Sequence, residues 1–155
     1  MSSIESEILL VEDSRDDAEL AVHALRRGKL SNEIHIAADG EAALDFLFCR
    51  GAYANRSFER PPILILLDLK LPRINGTQVL EQIKTDPRTR TIPVVVLTSS
   101  SEDRDIEQAF RLGANSYVQK PVDFDQFRKT IETVGLYWLV LNRHPVQIEA
   151  GAGVL

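Results

Sequence analysis

Most of the features that assign a chain to a class at a glance are missing here. There is one cysteine, Cys49, so no internal disulfide can form, and without a second cysteine nearby it reads as a packing residue and not a redox centre. No signal peptide opens the sequence and no apolar run is long enough to span a bilayer. A reduced, cytoplasmic setting without membrane contact is the expectation. The basic residues are scattered along a chain of net charge −5, without the cationic stripe that announces nucleic-acid binding. No glycine-rich phosphate loop follows the first apolar run, which counts against nucleotide binding. Clustered histidines and cysteines are absent, and no repeat or low-complexity segment interrupts the 155 residues, a length suited to one domain with a sizeable core.

What is present is organised around Pro61 to Gly76. Ile63 to Leu67 is an unbroken aliphatic run that stops abruptly on Asp68 and then turns through Leu-Pro-Arg-Ile-Asn-Gly. It is too short for an ordinary helix and does not alternate as a half-exposed strand would, so it reads as a buried central strand of a parallel sheet. Asp68 then stands at the strand's carboxyl end, where open α/β sheets hold their ligands.

The rest of the chain alternates in the same way. Ile8 to Val11 reads as a strand, followed by Glu12-Asp13-Ser14 and a helix carrying Ala18, Ala21, Ala24 and Leu25 at helical spacing, with Gly28 near its end. Ile34 to Ala37 and Gly40 to Phe48 give a second strand and helix, and the polar, aperiodic Arg50 to Pro62 reads as a surface loop with functional reach. Asn75 starts a third helix that Asp86-Pro87 ends. Ile92 to Leu97 is a fourth strand, Ile106, Ala109, Phe110 and Leu112 mark a fourth helix closed by Gly113, and Ser116 to Val118 is a fifth strand. Asp123 caps a last helix running to about Leu141. Five strand-helix units predict a doubly wound α/β fold, a five-stranded parallel sheet of flavodoxin-like order 2-1-3-4-5 with five helices. The domain is placed at 6–143 and a mobile tail at 144–155.

Every distinctive polar residue falls at the same end of that sheet. Glu12 and Asp13 follow the first strand, Asp68 the third, Thr98 the fourth and Lys120 the fifth. Each has an ordinary explanation: Asp13 or Ser14 as the cap of the first helix, Thr98 as that of the fourth, Lys120 as a solvated charge. Taken together they ask for a cation, because carboxylates about 5 Å apart at an effective dielectric near 20 repel by roughly 3 kcal/mol per pair. Oxygen-only donors point to Mg²⁺ in preference to zinc. A hydroxyl and an ammonium at the rim suit phosphoryl oxygens.

The motifs Val-Glu-Asp at 11–13, Leu-Leu-Asp-Leu-Lys-Leu-Pro-Arg-Ile-Asn-Gly at 66–76, Leu-Thr-Ser at 97–99, Gly-Ala-Asn-Ser-Tyr at 113–117 and Gln-Lys-Pro-Val at 119–122 resemble the receiver domains of two-component response regulators. The Arg50–Pro62 insertion, Asp-Leu-Lys-Leu-Pro and the Tyr-Trp-Leu ending make the chain most similar to the single-domain regulators of cyanobacterial phytochromes. The resemblance implies that Asp68 is the phosphoacceptor, taking a phosphoryl group from a histidine kinase, with a phytochrome as that kinase. It implies that Mg²⁺ is held by Asp13, Asp68 and the backbone carbonyl of Lys70, with Glu12 reaching it through water. Lys120 would pair with a phosphoryl oxygen, Thr98 would hydrogen-bond the group, and Tyr117 would turn inward as the switch. It further implies a cis bond at Lys120-Pro121. Glu12 stands where Asp is commoner, and neither Lys70 nor Ser100 offers an acid to orient a hydrolytic water.

Two other readings compete. An aspartyl-phosphate phosphatase resembling the haloacid dehalogenases needs a second acid two positions after the nucleophile, where this chain has Lys70. A degenerate receiver acting as a phosphorylation-independent interaction module is opposed by the intact Asp13, Asp68, Thr98 and Lys120. Finally, Phe124, Phe127, Ile131, Val134, Trp138 and Leu141 form a core-facing stripe on the last helix while Leu136, Leu139 and Val140 point away, which predicts a homodimer through that helix. The competing explanation is a bend after Gly135 that tucks those residues back.

Overall fold

A computed structural model describes residues 7–28 and 31–142. The strands are β1 (Ile8–Val11), β2 (Ile34–Ala37), β3 (Leu64–Leu67), β4 (Val94–Thr98) and β5 (Ser116–Gln119). The helices are α1 (Arg15–Arg27), α2 (Gly40–Leu47), α3 (Gly76–Thr85), α4 (Asp103–Arg111) and α5 (Phe124–Leu136). All strand pairs are parallel and the order is β2-β1-β3-β4-β5, as the sequence predicts.

The unbroken aliphatic runs are explained by a sheet covered on both faces. Leu9, Val11, Ile65, Leu67, Val94 and Val96 join the core formed with α2, α3 and Ala109 of α4. The alternate residues Ile8, Leu10, Leu64, Leu66, Val95 and Leu97 join the core formed with α1 and α5. Each fully buried aliphatic contributes on the order of 1.5–3 kcal/mol, and a one-residue slip would exchange the two sets between faces. Register is therefore tightly held.

Short polar residues start most helices. Ser14 Oγ accepts from Asp17 N–H at 3.2 Å, Asp39 Oδ1 from Ala42 N–H at 2.8 Å, and Asn75 and Gln78 form a reciprocal capping box at 3.0 Å each way. Asp123 caps α5, as its position in the sequence predicts. The end of α3 is pinned by Lys84, whose Nζ donates to the carbonyls of Arg90 and Ile92 and to Asn115 Oδ1 at 2.8–3.0 Å. Burial pulls that ammonium down to about 8. Asn115 Oδ1 also accepts from Val94 N–H at 2.8 Å, so one amide aligns the entrances of β4 and β5.

Several expectations need correction. Arg50–Pro62 is a surface segment, as the sequence predicts, but an anchored one. It opens with a 3₁₀ turn at Gly51–Tyr53 and is tied down by Arg56, which donates to Glu7 Oε1 at 2.7 Å and Phe46 O at 3.1 Å and lies 3.6 Å over the Phe46 ring. Glu7 immediately precedes β1, so the insertion covers the amino edge of the sheet, the end remote from Asp68. Cys49 is a half-buried turn residue at φ 56, where Arg50 N–H bonds back to Asp45 O and closes α2. The Lys120–Pro121 bond is trans, since the described residues contain no cis peptide, in keeping with the general trans preference before proline.

The last helix also departs from its expected stripe. Regular α geometry stops at Leu136, and Tyr137–Leu141 is a π turn closed by Asn142 N–H to Tyr137 O at 2.7 Å. The wider turn shifts the helical phase, so Leu139 comes onto the core beside Val134 and Trp138 while Leu141 is left exposed. Phe124, in the first turn, is 69% exposed. Gly135 is buried within the continuous helix, and Leu136 and Val140 remain exposed, so no bend tucks them away. The proposed tail at 144–155, with the domain limits at residues 6 and 143, lies outside the described residues.

The fold delivers Asp68 to its edge through a close backbone contact. Gly76, first residue of α3, donates its N–H to Leu69 O at 2.8 Å, and a Cβ there would lie 2.5 Å from Leu69 Cα and overlap Asp68 O. Only glycine fits. A Gly76→Ala variant is expected to lose about 1–3 kcal/mol of unfolding free energy in urea titrations, the cost of overpacking a site whose neighbour is backbone.

Candidate functional site

Three ladder bonds continue past the strand ends and bring the acidic and basic residues together. Asp68 N–H donates to Val11 O at 3.0 Å, Glu12 N–H to Ala37 O at 3.0 Å, and Lys120 N–H to Thr98 O at 2.7 Å. Glu12, Asp68 and Thr98 are buried, whereas Asp13 is exposed at the rim. Ser14, not Asp13, caps α1, which leaves the Asp13 carboxylate available. One oxygen from each of Glu12, Asp13 and Asp68 lies within 4.8 Å of the others.

Lys120 is not a solvated charge. Its side chain is only 11% exposed, and Nζ donates to Glu12 Oε1 at 2.6 Å, Asp17 Oδ2 at 2.9 Å and Asp68 Oδ2 at 3.2 Å. Burial opposes the ammonium, but the bonds to Glu12 and Asp17 and the charges of Asp68 and Glu12 outweigh it and hold Lys120 above its ordinary value. Glu12 moves the other way for a carboxylate. Burial raises it to about 7, assisted by the charge of Asp68, although the bond from Lys120 opposes the shift. The second oxygen of Glu12 accepts from Ser14 N–H at 3.1 Å, and Asp68 Oδ1 accepts from Lys70 N–H at 3.2 Å. The Lys70 side chain points to solvent.

Thr98 is the least satisfied residue of the edge. It is completely buried, and among the described residues its Oγ1 is the one buried side-chain oxygen or nitrogen without a hydrogen-bond partner. It does not cap α4, which starts after Glu102 without a side-chain cap. A buried hydroxyl left unpaired costs about 1–3 kcal/mol, so the site is built with an unused donor. Tyr117 packs partly against the core, and its hydroxyl donates to Ser100 O at 3.0 Å. Burial pushes the phenol up. Ser100 is itself engaged, donating to Asp105 Oδ2 at 2.5 Å and accepting from Glu102 N–H at 3.2 Å.

The sequence reading brought Glu12, Asp13, Asp68, Thr98 and Lys120 to one edge, and the structure places them there. It did not single out Asp17. The available signal was its place three residues after the Ser14 cap, which puts it in the first turn of a helix that begins at this edge.

The raised Glu12 carboxyl has a measurable consequence for the metal-free protein. The folded state holds this proton to about pH 7 and the unfolded state only to about 4.5, so stability from this group is full below the lower value and is lost as pH rises through the upper. Glu12→Gln, measured in chelator, is expected to flatten the fall in unfolding free energy across that window. An unchanged slope in urea titrations at several pH values would contradict the shift.

Comparison with known proteins agrees with this architecture. A family model described as response regulator receiver domain matches residues 8–132. The chain is 44% identical over 138 residues to the probable methanogenesis regulatory protein FilR2 of Methanothrix harundinacea, covering 89% of this chain and 86% of that one. It is 39% identical over 132 residues to response regulator Rcp1 of Synechocystis, covering 85% and 88%. The crystal structure of the phosphorylated cyanobacterial phytochrome response regulator RcpA superposes with a TM-score of 0.86 at 37% identity, covering 91% of this chain and 99% of that one. The Mn²⁺-bound form of Rcp1 gives 0.84 at 38% identity, covering 90% and 99%. With the five-stranded sheet and the acidic edge already in place, these matches settle the family: the chain belongs to the response regulator receiver domains of two-component signalling.

Proposed function

We propose that this receiver accepts a phosphoryl group on Asp68 from the phosphohistidine of a partner kinase and signals through protein contacts. The observation that carries the proposal is the buried, unpartnered hydroxyl of Thr98 at the edge that also presents Asp68 and Lys120. An arriving phosphoryl oxygen gives that hydroxyl its missing acceptor. In the transfer, a carboxylate oxygen of Asp68 forms the new O–P bond as the P–N bond to the kinase imidazole breaks, and Lys120 lies within 3.2 Å of Asp68 to neutralise the incoming charge.

The carboxylate set fits a hard divalent ion, with oxygen donors of Glu12, Asp13 and Asp68 converging. Asp13, Asp68 and the Lys70 carbonyl would hold Mg²⁺, with Glu12 acting through water. When bound, the ion supplies charge neutralisation for phosphoryl oxygens. Thr98 and Tyr117 form the switch: engagement of the Thr98 hydroxyl draws the end of β4 toward Asp68 and favours a further inward position of Tyr117, a population shift between arrangements of one fold. The same residues catalyse loss of the group, slowly, because neither Lys70 nor Ser100 is a carboxylate or amide suited to orienting a hydrolytic water, and Ser100 is in addition engaged with Asp105 and Glu102.

The likeness to the phytochrome response regulator RcpA supports a phytochrome-type histidine kinase as the partner, and a cytoplasmic setting is proposed with it. Among the described residues no helix is long and apolar enough to cross a membrane, and neither membrane nor nucleic acid is assigned as a partner. The receiver unit is taken as 6–143. A homodimer forms through the end of α5 and the π turn, where Leu136, Tyr137, Val140 and Leu141 are all exposed. Such a cluster is stabilised by burial against a second copy.

Incubation with acetyl phosphate and Mg²⁺ is expected to add one phosphoryl group to the wild type and none to Asp68→Asn, read by intact mass. Stoichiometric labelling of the variant would reject Asp68 as acceptor, and an unlabelled wild type would favour a phosphorylation-independent interaction module. For the dimer, sedimentation equilibrium should give a two-subunit mass for the wild type and a monomer for Leu136→Glu/Val140→Glu. A wild type monomeric with and without phosphodonor would end the dimer proposal.

A further inference from the structure

Asp17 takes one of the three N–H donors of the Lys120 ammonium, at 2.9 Å, yet nothing in the receiver reading gives it a task. It is not one of the three carboxylates whose oxygens converge as a cation site. Its backbone is fixed in the first turn of α1, where its N–H donates to Ser14 Oγ at 3.2 Å, and its side chain is 38% exposed. Glu12, itself buried, anchors the same ammonium at 2.6 Å, with its own second oxygen held by Ser14 N–H. Ser14 thus braces both anchors, one through its amide and the other through its hydroxyl.

An ammonium bonded at one point turns freely about that bond, and a lysine stem with four rotatable bonds carries it readily toward water. Bonded at two points on rigid elements, it has one remaining N–H and one direction for it. Here that direction is Asp68 Oδ2, at 3.2 Å the longest of the three bonds and the one free to pass to a new acceptor.

We infer that Asp17 is a positioning residue for phosphoryl transfer, fixing Lys120 so that its third N–H meets the group arriving on Asp68. The inference rests on the proposed role of Asp68 as phosphoacceptor. Asp17 acts through Lys120 and touches neither the cation site nor the reacting oxygen.

The test compares the full chain with its Asp17→Ala and Asp17→Asn variants in acetyl phosphate and Mg²⁺, with initial rates from intact mass and Mg²⁺ affinity from calorimetry. Asp17→Ala is expected to lower the maximal rate on the order of tenfold, the effect of a loosened catalytic group. The KM for phosphodonor and the Mg²⁺ affinity should stay within about twofold, because binding is not what Asp17 serves. Asp17→Asn, whose amide oxygen still accepts from Lys120, should recover most of the rate. Asp17→Leu, also without an acceptor, should match Asp17→Ala and carries the comparison if the alanine variant does not fold. A wild-type maximal rate in the folded acceptor-free variants overturns the inference. So does a loss of Mg²⁺ affinity in step with the rate, or an asparagine variant as slow as alanine, which would mean that charge and not position matters. A wild type that takes no phosphoryl group on Asp68 overturns the phosphoacceptor reading itself, and this inference with it.

Discussion

The carboxyl edge of this sheet gathers more negative charge than its fold can leave unanswered, and one ammonium holds it together. Lys120 bonds three carboxylates drawn from β1's exit, α1's first turn and β3's exit. Removing one partner from a buried ion pair typically costs about 3–5 kcal/mol, because the partner left behind remains desolvated. Even so the balance is incomplete: Glu12 is pushed up by burial despite the shortest bond to Lys120, and Asp13 faces solvent without answering charge from Lys120. The edge is held together and still carries unanswered charge. A cation and a phosphoryl group together would resolve both the surplus charge and the idle hydroxyl of Thr98.

That arrangement depends on features far from the edge. The two-sided core fixes register, so Asp68 cannot slide relative to Glu12 without moving aliphatic residues to the wrong face. Gly76 lets α3 begin against the backbone of Asp68 and Leu69. At the amino edge, Arg56 ties the insertion to Glu7 and Phe46, and Lys84 with Asn115 aligns β4 with β5.

Strand order and the gathering of Glu12, Asp13, Asp68, Thr98 and Lys120 are legible because short apolar runs alternate with helical patterns, while the limits of β3, β4 and β5 lie one or two residues from those the sequence predicts. Ile34–Ala37 came out residue for residue. What was not legible depends on side-chain reach or on helical phase. Asp17 looks like one of two ordinary acids in a first helical turn, and only the path of Lys120 distinguishes it from Asp16. The polar insertion carries no periodicity, so the anchoring of Arg56 on Phe46 was invisible. A stripe drawn at constant α spacing fails once the π turn adds a residue, which is why Leu139 and Leu141 exchange places. Phe124 shows a different limit, since an apolar residue in a first turn can lie beyond the edge of the layer beneath it.

The bond from Lys120 N–H to Thr98 O, at 2.7 Å, has a mechanical consequence. Thr98 and Lys120, the two side chains proposed to meet a phosphoryl group, follow one another across the β4–β5 ladder, which this bond extends past the strand ends. Thr98 cannot be drawn toward Asp68 while the main chain of Lys120 stays behind unless that bond stretches. Any such pull would be shared with β5, which ends at Gln119 beside Lys120 and carries Tyr117. If the proposed phosphoryl group draws on Thr98, this wiring would act as a lever and not as a set of independent contacts: the stroke at the site and the stroke at the outer strand would be one displacement, read at two places.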